Sequence, residues 1–462
     1  MTPAAAKRFP DRDEIAAVRA EAEALEPGEE GPEERRLAGR VLGRRDMGKL
    51  VFLDLVDRSG RIQLLCPAAR TGEVDVHLGD VVGVVGHATK SRRGEPSAVV
   101  DSLEVLSRIR SPLPDTFHGL TDTEQRYRRR YLDLLMNEET RNDFVFRARL
   151  TSAIRRRLDA AGFVEVETPV LQSQYGGAFG RPFLTHHNQL DQDLYLRIAL
   201  ELPLKRLIVG GLERVYEIGR VFRNEGVDYK HNPEFTMLEW YEAYADYRDT
   251  MERFENLIAD VARELLGTTV VTWRGHTVDL APPWKRLKLV DALKEHGVWS
   301  EDENELRAIL ESKGIDTTND PTWSLLVDHA LTNYVEPRLI EPTFLYDYPV
   351  RLSPFARRSD DDDQIVERFE GYVAGTEVCN AFSELNDAEE QAERFRMQAE
   401  EGAGGNAEAE PGDADYVEAL SYGMPPAGGI GFGIDRLAML LLGKDSIRDV
   451  ILFPALRERG PD

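Results

Sequence analysis

The sequence predicts a multidomain α+β protein in which a small, strand-rich domain precedes a larger domain of mixed helices and strands. The chain has 462 residues, which is too long for one ordinary hydrophobic core. Residues 36–106 contain short β-rich runs separated by glycines, which is typical of a small antiparallel barrel or sandwich. From about residue 144 onward, helical and strand patterns alternate, as expected for a single α+β domain of roughly 300 residues.

Shifts in composition divide the chain, and Pro112 and Pro114 mark one of the boundaries. The predicted segments are an acidic leader at 1–34, the strand-rich domain at 35–110, a linker at 111–143, and the larger domain at 144–462 with a helical insertion at about 287–335. The leader is expected to be poorly ordered, apart from one helix near 13–25, because residues 21–34 are rich in acids and lack Lys and Arg. Helical periodicity also predicts helices over 124–135 and 144–160.

Composition excludes several classes of protein. The hydrophobic fraction of 42% excludes wholesale disorder, and no apolar run has the length that a membrane span needs. A net charge of −25 argues against a chain-wide nucleic-acid surface, although an arginine cluster at 35–45 fits either a local polyanion site or a solvated strand edge. Cys66 and Cys379 lie far apart, which predicts buried thiols, no disulfide or zinc site, and a reducing cytoplasm.

Residues 213–247 predict a β-hairpin that can hold a nucleoside triphosphate. Two side-chain faces alternate along the first strand, after which the chain turns and returns as a second strand. Arg223, at one shoulder of the hairpin, can neutralise an α-phosphate, while Lys230 or His231 can reach the outer phosphates. Phe235 can stack on the base. Such a cluster on its own is also compatible with a solvated hairpin.

A glycine-rich strand near the C-terminus strengthens the nucleotide interpretation. Residues 428–437 place four glycines before a helix that begins near Arg436. The glycines allow the backbone to approach a flat ligand closely, and the arginine can bind the far phosphate. The segment is not a dinucleotide fingerprint, because no ribose-binding acid follows at the expected distance, and the chain contains no P-loop.

Taken together, these segments resemble the class II aminoacyl-tRNA synthetases. The three family motifs are matched in order by EVETP at 165–169, FRNE and HNPEF within 222–235, and GFGIDR at 431–436. Longer strings at 176–211, 380–395 and 447–457 resemble lysyl-tRNA synthetases, and the similarity extends from about Arg36 to Arg457. The resemblance implies an OB-fold barrel followed by a catalytic domain built on an antiparallel sheet flanked by helices. It also implies that the enzyme joins lysine to tRNA(Lys) through a lysyl-adenylate made from ATP.

The resemblance further implies functional residues at the matching positions. The ATP site would contain Arg223, Glu225, Lys230, His231, Asn232, Phe235 and Arg436, of which Arg223, Glu225 and Arg436 would be catalytic. The lysine site would contain Gly177, Glu201, Glu239, Tyr241, Asn380, Phe382 and Glu384. In this assignment Glu201 and the Gly177 carbonyl hold the α-ammonium, and Glu384 and Tyr241 hold the ε-ammonium. Asn380 and Arg223 contact the carboxylate, Phe382 lines the methylene stem, and Glu239 supports the other acids.

Two carboxylates are implied as ligands of Mg²⁺ that bridges the ATP phosphates. Glu370 and Glu377 lie in RFEGYVAGTEVCN, an alternating stretch that reads as a single strand. Because their odd spacing would place them on opposite faces, both reach one site only if a bulge or bend at Gly371 or Gly375 intervenes. Carboxylate and phosphate oxygens are the donors that Mg²⁺ prefers.

The resemblance also implies binding partners. Arg45, Phe52 and Gln63 match positions that read the lysine anticodon, as aromatic stacking on OB-folds would allow, although Phe52 also fits a barrel core position. Residues 147–169, with Gly162 ending a helix and Pro169 ending a strand, match the family's dimer interface.

Some residues depart from the family pattern, and other functions remain as alternatives. Lys230 stands where arginine is usual, Ala381 replaces a common glycine, and the leader is acidic where many relatives are basic. The rival functions are an aspartyl or asparaginyl synthetase, a non-catalytic RNA-binding protein with a dead core, and a ligase that lysylates a protein or lipid. The acidic residues of the predicted amino-acid pocket argue against an aspartate or asparagine substrate. The intact residues of the predicted ATP site argue against a dead core, and the retained barrel argues against a ligase that does not use tRNA.

Overall fold

The structure is a computed structural model that describes residues 8–114, 119–178, 180–405 and 411–457. The chain divides into two compact units. The first comprises Met1–Arg126 and Tyr131–Asn137, and the second comprises Tyr127–Arg130 and Glu138–Asp462. None of the helices in the described part of the chain is long and apolar enough to cross a membrane.

The first unit contains the predicted barrel. Its elements are α1 (Ile15–Ala24), β1 (Glu30–Met47), β2 (Leu50–Val56), β3 (Arg61–Pro67), α2 (Ala68–Thr71), β4 (Val81–Lys90) and β5 (Pro96–Ser107). The strands close in the order β1-β2-β3-β5-β4. All pairings are antiparallel except that of β3 with β5, so the prediction of an antiparallel barrel holds apart from this pair.

The acidic leader is more ordered than the sequence suggested. Helix α1 buries Ile15, Val18 and Ala22, which are at most 1% exposed, in the same core cluster as the inward residues of the barrel. These positions recur at helical spacing and form a narrow apolar stripe on an otherwise acidic helix. The predicted helix near 13–25 is therefore present, but the expectation of a poorly ordered leader is wrong for residues 13–34.

The second unit is built on one large sheet. Its strands are β6 (Val164–Glu165), β7 (Leu171–Gln172), β8 (Leu184–His187), β9 (Gln192–Leu196), β10 (Arg214–Phe222), β11 (Glu234–Ala243), β12 (Val270–Trp273), β13 (His276–Asp279), β14 (Lys285–Lys288), β15 (Thr343–Pro349), β16 (Ile365–Val373), β17 (Thr376–Ser383) and β18 (Ala427–Gly433). Eight of them form a sheet in the order β14-β15-β16-β17-β18-β11-β10-β6. The two outermost pairings are parallel and the rest antiparallel, which confirms the implied antiparallel catalytic sheet.

The helices include those that the sequence predicted. They are α3 (Thr123–Arg128), α4 (Arg130–Met136), α5 (Glu138–Ala160), α6 (Glu201–Val209), α7 (Tyr247–Leu266), α8 (Leu289–Glu295), α9 (Glu303–Ser312), α10 (Trp323–Ala330), α11 (Ala388–Ala403), α12 (Ala414–Ser421), α13 (Ile434–Leu442) and α14 (Ile447–Val450). The helix expected over 124–135 is interrupted between α3 and α4, and the predicted insertion contains α8, α9 and α10. A π-helical turn at Leu331–Val335 and 3-10 turns at Glu336–Arg338 and Val350–Leu352 complete the set.

Helix α7 shows how local sequence fixes the layer that supports the sheet. Asp246 accepts hydrogen bonds from the backbone N–H groups of Arg248 and Asp249 in a capping box, and Gly267 ends the helix with a φ of +75°. The buried face of the helix packs Phe254 against the rings of Trp284 and Phe432, at centroid distances of 5.6 and 5.3 Å. This packing covers the central strand β18 from one side.

The prediction that the two cysteines are buried thiols is confirmed. Cys66 and Cys379 are both buried and free. Burial raises the pKa of Cys66 to about 12, so this thiol stays protonated at neutral pH.

Candidate active site

A cavity of about 470 Å³ in the second unit collects the predicted catalytic residues. Every residue assigned to ATP, lysine or Mg²⁺ lines it: Gly177, Glu201, Arg223, Glu225, Lys230, His231, Asn232, Phe235, Glu239, Tyr241, Glu370, Glu377, Asn380, Phe382, Glu384 and Arg436. These residues come from strands β11, β16 and β17 of the large sheet and the residue that follows β17, from α6 and α13, from the loop between β10 and β11, and from the segment between β7 and β8. The sequence motifs therefore converge on one site.

A hairpin brings the two predicted metal carboxylates to one face. The stretch that reads as one strand is two, β16 and β17, joined by a tight turn at Ala374 and Gly375, whose φ angles are +49° and +69°. Across the turn Glu377 pairs with Tyr372, which shares its face with Glu370. The prediction of one strand is wrong, and the predicted bend at Gly375 is confirmed.

A β-bulge one residue beyond Glu377 brings Asn380 and Phe382, which are predicted to bind lysine, to the same face. The register shifts so that Gly371 pairs with Cys379 and Glu370 with Asn380, leaving Val378 as the extra residue. Without the shift, Asn380 and Phe382 would point to the opposite face from Glu377. The bulge therefore places the two carboxylates predicted to bind Mg²⁺ on the same face as Asn380 and Phe382, which are predicted to bind lysine.

Three buried acids define the amino-acid end. Glu201, Glu239 and Glu384 are 5%, 4% and 1% exposed. Burial, with the charge of Glu201, raises the pKa of Glu239 to about 7. Burial also raises the pKa of Glu201 and of Glu384, although a neighbouring lysine ammonium opposes the rise. So much buried negative charge demands a cationic partner.

Neighbouring groups orient these acids. The Leu200 backbone N–H donates to Glu239 Oε1 at 2.9 Å, and the Tyr241 hydroxyl donates to Glu239 Oε2 at 2.9 Å. Tyr241 was assigned to the ε-ammonium together with Glu384, but its hydroxyl donates to Glu239 here. Glu384 Oε1 has no normal hydrogen-bond partner in the described part of the chain, so it is an available acceptor inside the cavity.

Gly429 of β18 leaves room for this cluster. A Cβ atom at this position would lie 2.5 Å from Tyr241 Cε1 and even closer to Glu384 Oε1. Both side chains lean across the glycine strand, which lies between β11 and β17. Glycine is therefore required at position 429 to make room for these two side chains, in addition to any role in letting a nucleotide approach the backbone.

Arg368, which the sequence interpretation overlooked, organises the floor of the cavity. Its guanidinium donates to Asn380 Oδ1 at 3.2 Å and to Glu370 Oε1 at 2.6 Å, and Tyr372 donates to Glu370 Oε2 at 2.6 Å. Since arginine can only donate, the Asn380 oxygen is occupied and its NH₂ group is left to meet a substrate carboxylate. The sequence did contain a signal for Arg368: it lies two positions before Glu370, and residues two apart on a strand share a face.

The nucleotide end carries cations and one aromatic ring. The Arg223 guanidinium lies over the Phe235 ring, 5.4 Å from its centroid. Arg436 donates to the Glu377 backbone oxygen at 2.7 Å and to its carboxylate at 3.1 Å. Arg223 and Arg436 both line this end of the cavity.

The loop that carries Lys230 and His231 is organised by Asp228, which the sequence interpretation also overlooked. Its carboxylate accepts from the backbone N–H groups of Lys230 and His231 at 2.7 and 2.8 Å, and it lies 2.8 Å from His231 Nδ1. Asn232 has both ends of its amide engaged, with the oxygen of Glu234 and the N–H of Ala455. It lines the cavity but is better suited to holding the loop than to contacting ATP.

Asp435 connects α13 to α5 and β11. It accepts from Arg147 Nε of α5 at 3.1 Å and from the Thr236 backbone N–H of β11 at 2.7 Å, and it lies beside Arg436 on α13. At 1% exposed, it is a buried connector that the string GFGIDR contains but that the sequence interpretation left without a role.

In the barrel of the first unit, the three predicted anticodon residues share the outer face. Arg45 pairs with Phe52 and lies 5.7 Å from its ring centroid, while Gln63 pairs with Asp54, two residues beyond Phe52. Leu53 and Leu55, which alternate with them, are 0% exposed and form the core. Phe52 is partly exposed, so the alternative of a core position is wrong.

Comparisons with known proteins agree with this architecture. The family described as "tRNA synthetases class II (D, K and N)" matches residues 122–457. The family described as "OB-fold nucleic acid binding domain" matches residues 36–106. The larger match covers well over half of the chain, and it contains every residue of the cavity. The second unit thus has the core of a class II tRNA synthetase.

Similar curated proteins indicate which family of class II synthetases the chain belongs to. A lysine–tRNA ligase of Halalkalibacterium halodurans is 49% identical over 449 residues, which is 95% of this chain and 90% of the relative. The enzyme of the same name from Bacillus subtilis is 49% identical, covering 93% of this chain and 88% of the relative. One from Dehalococcoides mccartyi is 48% identical, covering 99% and 94%. The chain belongs to the lysine–tRNA ligase family of class II synthetases.

Proposed function

We propose that this chain activates lysine with ATP and transfers it to the 3′ end of tRNA(Lys). The observation that carries the proposal is that one cavity is lined by three buried acids, by Arg223 and Arg436, and by the Phe235 ring beneath Arg223. Lysine presents two ammonium groups and one carboxylate, and ATP presents phosphates and a base. The two ends of the cavity match these two charge patterns.

In the proposed reaction the lysine carboxylate attacks the α-phosphorus of ATP and pyrophosphate leaves. Arg223 neutralises the α-phosphate and orients the carboxylate with Asn380, while Arg436 holds the outer phosphates. The 3′-terminal hydroxyl of tRNA then attacks the lysyl carbonyl, and AMP leaves. Because both attacking groups belong to substrates, the chain contributes position and charge, and needs no nucleophilic side chain.

We assign Gly177, Glu201, Glu239, Tyr241, Phe382 and Glu384 to the amino-acid side of this reaction. Glu384 Oε1, buried and without a normal hydrogen-bond partner in the described residues, supports a contact with the ε-ammonium. Glu225, Lys230, His231 and Phe235 are assigned to the nucleotide side, and Asn232 is assigned to holding the loop that carries Lys230 and His231. An aspartate substrate fits poorly, because its side-chain carboxylate would face Glu201 and Glu384.

Glu370 and Glu377 are proposed to hold Mg²⁺ together with the ATP phosphates. Their oxygen donors suit this ion, and hydrogen bonds from Arg368 and Tyr372 already orient Glu370. No group of three acids, histidines or cysteines in the described residues can hold a metal, so phosphate oxygens would have to complete the shell. When bound, Mg²⁺ would neutralise phosphate charge as pyrophosphate departs.

For tRNA we propose that Arg45, Phe52 and Gln63 read the anticodon from the outer face of the barrel. This face offers an aromatic ring for stacking, a guanidinium beside it and an amide for base edges. We keep the domain division proposed from the sequence, in which the barrel at 35–110 would bind the anticodon and the domain at 144–462 would carry out catalysis. We also propose that the enzyme acts in the cytoplasm.

We propose a homodimer joined through residues 147–169. Strand β6 lies at an edge of the large sheet, and its Val164 is 51% exposed. Val145, Leu171 and Leu184 nearby in the sequence are 50%, 48% and 64% exposed, which is unusual for large apolar side chains. Light scattering at micromolar concentration should give twice the mass of the chain, and a fully active monomer would overturn this assignment.

The decisive experiment for the proposed function is amino-acid-dependent exchange between ATP and pyrophosphate, run with all twenty amino acids and no tRNA. Lysine should support exchange at least a hundredfold better than aspartate or asparagine. Exchange should require a divalent cation. A preference for aspartate, or no exchange with any amino acid, would refute the proposal.

A further inference from the structure

A lysine of the chain itself lies behind the amino-acid pocket. The Lys205 side chain, on α6, is 0% exposed, and its ammonium donates to Glu201 Oε1 at 2.5 Å and contacts Glu384 Oε2. The rings of Tyr241, Phe355 and Phe382 surround it at 5.9, 5.0 and 5.1 Å from their centroids. It is therefore caged by carboxylates and aromatic faces, the surroundings that an ammonium ion favours.

The position of Lys205 relative to the cavity decides what it can do. Glu201, Glu384 and all three rings line the cavity, but Lys205 lies outside the set of lining residues that the structure describes. Its ammonium therefore reaches the two acids from behind, leaving the cavity side of each available. Glu384 Oε1, with no normal hydrogen bond from any described residue, is the free acceptor on that side.

We propose that Lys205 is a positioning residue that keeps Glu201 and Glu384 ionised and aimed at the cavity before substrate arrives. This inference rests on the proposed function, because it assigns the cavity side of these acids to a substrate ammonium. Lys205 is not displaced by lysine. It remains as a fixed counter-ion behind the wall, and the substrate supplies a second cation in front.

The charge balance gives the physical reason. Three acids lie within this buried cluster, and an isolated buried carboxylate takes up a proton rather than remain ionised. Burial would lower the pKa of Lys205, but Glu201 and Glu384 more than compensate, so the ammonium keeps its proton. The titratable and charged groups that face this cluster from its neighbouring elements are Glu239, Tyr241, Tyr416, Arg206, Arg223 and Arg368. Among these cations, Arg368 acts on Glu201, Arg223 on Glu239 and Arg206 on Tyr416, whereas Lys205 is the cation in contact with Glu384.

The test removes the charge and keeps the length of the side chain. In Lys205→Met, infrared spectra of the unliganded protein at pH 8 should gain the carbonyl stretch of a protonated carboxyl group. The KM for lysine in pyrophosphate exchange should rise by about ten- to a hundredfold and fall again as pH increases, because the extra proton must leave before lysine binds. The KM for ATP should change less than twofold.

Arg286→Met is the matched control. Arg286 forms an ion pair at 2.9 Å with Glu255, which is 4% exposed, in the same unit but away from the cavity. This variant also removes a cation from a buried acid, and it should leave the pH dependence of the KM for lysine as in wild type. Lys205→Gln, which retains a donor without the charge, should reproduce the spectrum of Lys205→Met if the methionine variant folds poorly.

The possible outcomes separate the two proposals. A folded Lys205 variant with no new protonated carboxyl and a KM for lysine within twofold of wild type would overturn the role of Lys205. A rise in KM that is independent of pH would do the same, because it would indicate only a structural role. Wild-type protein that fails to activate lysine would instead refute the proposed function.

Discussion

The proposed lysine site in the cavity and the proposed anticodon site on the outer face of the barrel differ sharply in their exposure to water. At the first, Glu201, Glu239 and Glu384 are at most 5% exposed, and their charges are balanced by buried neighbours. At the second, Phe52 is partly exposed and Arg45 is exposed on the surface of the first unit. Charge interactions gain strength where water is excluded, whereas stacking on an exposed ring gains little more than contact area. The same number of residues should therefore contribute very different free energies at the two sites.

The largest effect should come from Glu384→Gln, which tests the buried site directly. The change keeps the shape and removes the charge. Breaking a buried ion pair costs roughly 3–5 kcal/mol, so kcat/KM for lysine should fall by about two to four orders of magnitude. Steady-state pyrophosphate exchange measures this without tRNA. The exposed Glu252→Gln on α7 serves as control, and a Glu384→Gln enzyme within a few-fold of wild type would remove this residue from the site.

The buried site should also make stability depend on pH through Glu239. Because its pKa is raised from 4.5 to about 7, the folded protein binds more protons than the unfolded chain between these values. The stability conferred by this carboxyl is present below about pH 4.5 and is lost as pH rises through about 7. Relative to Glu239→Gln, wild type should lose about 3 kcal/mol across this window. Urea unfolding of both proteins at pH 5 and pH 8 measures the difference, and parallel curves would contradict the raised pKa.

Overpacking the same site should have the next largest effect. In Gly429→Ala the new methyl group meets Tyr241 Cε1 at 2.5 Å and collides with the Glu384 carboxylate. Inserting a methyl group into a packed core costs about 1–3 kcal/mol of stability. The free energy of unfolding should therefore fall by this amount, and the KM for lysine should rise because Glu384 and Tyr241 are displaced. In Gly433→Ala of the same strand, the nearest atom to the new Cβ is Arg436 Cβ at 3.7 Å, and the effect should be clearly smaller. If the two variants were impaired equally, the effect of Gly429→Ala could not be attributed to its clash with Tyr241 and Glu384.

The smallest effect is expected at the barrel. Phe52→Ala should weaken charging of tRNA(Lys) by about 1–3 kcal/mol, the usual contribution of one stacked base. Pyrophosphate exchange should be almost unchanged, because activation takes place in the other unit. Leu53→Ala serves as the control, because it truncates a core residue that is 0% exposed and should destabilise the barrel. If Phe52→Ala lowers the stability of the barrel as Leu53→Ala does, the anticodon assignment fails.

Much of this protein was determined by local sequence. Alternating apolar residues and glycine turns predicted the barrel, because strand periodicity and turn chemistry depend on neighbours within a few residues. The residues that line the cavity were predicted by the resemblance of the motif strings to a known family. The leader was misjudged because its acidic composition outweighed the three apolar residues that pack α1 onto the barrel.

Other features were decided only by tertiary structure. The turn at Ala374–Gly375 and the bulge at Val378 set which side chains share a face, and an odd spacing along the chain could not reveal this. The cage around Lys205 draws on α6, β11, β17 and the segments near Phe355 and Glu384, which are far apart in sequence. Burial and charge balance are properties of such assembled surroundings, because desolvation depends on every group that excludes water from an ion. The sequence could therefore identify the acids of this pocket, and only the fold could show what keeps them charged.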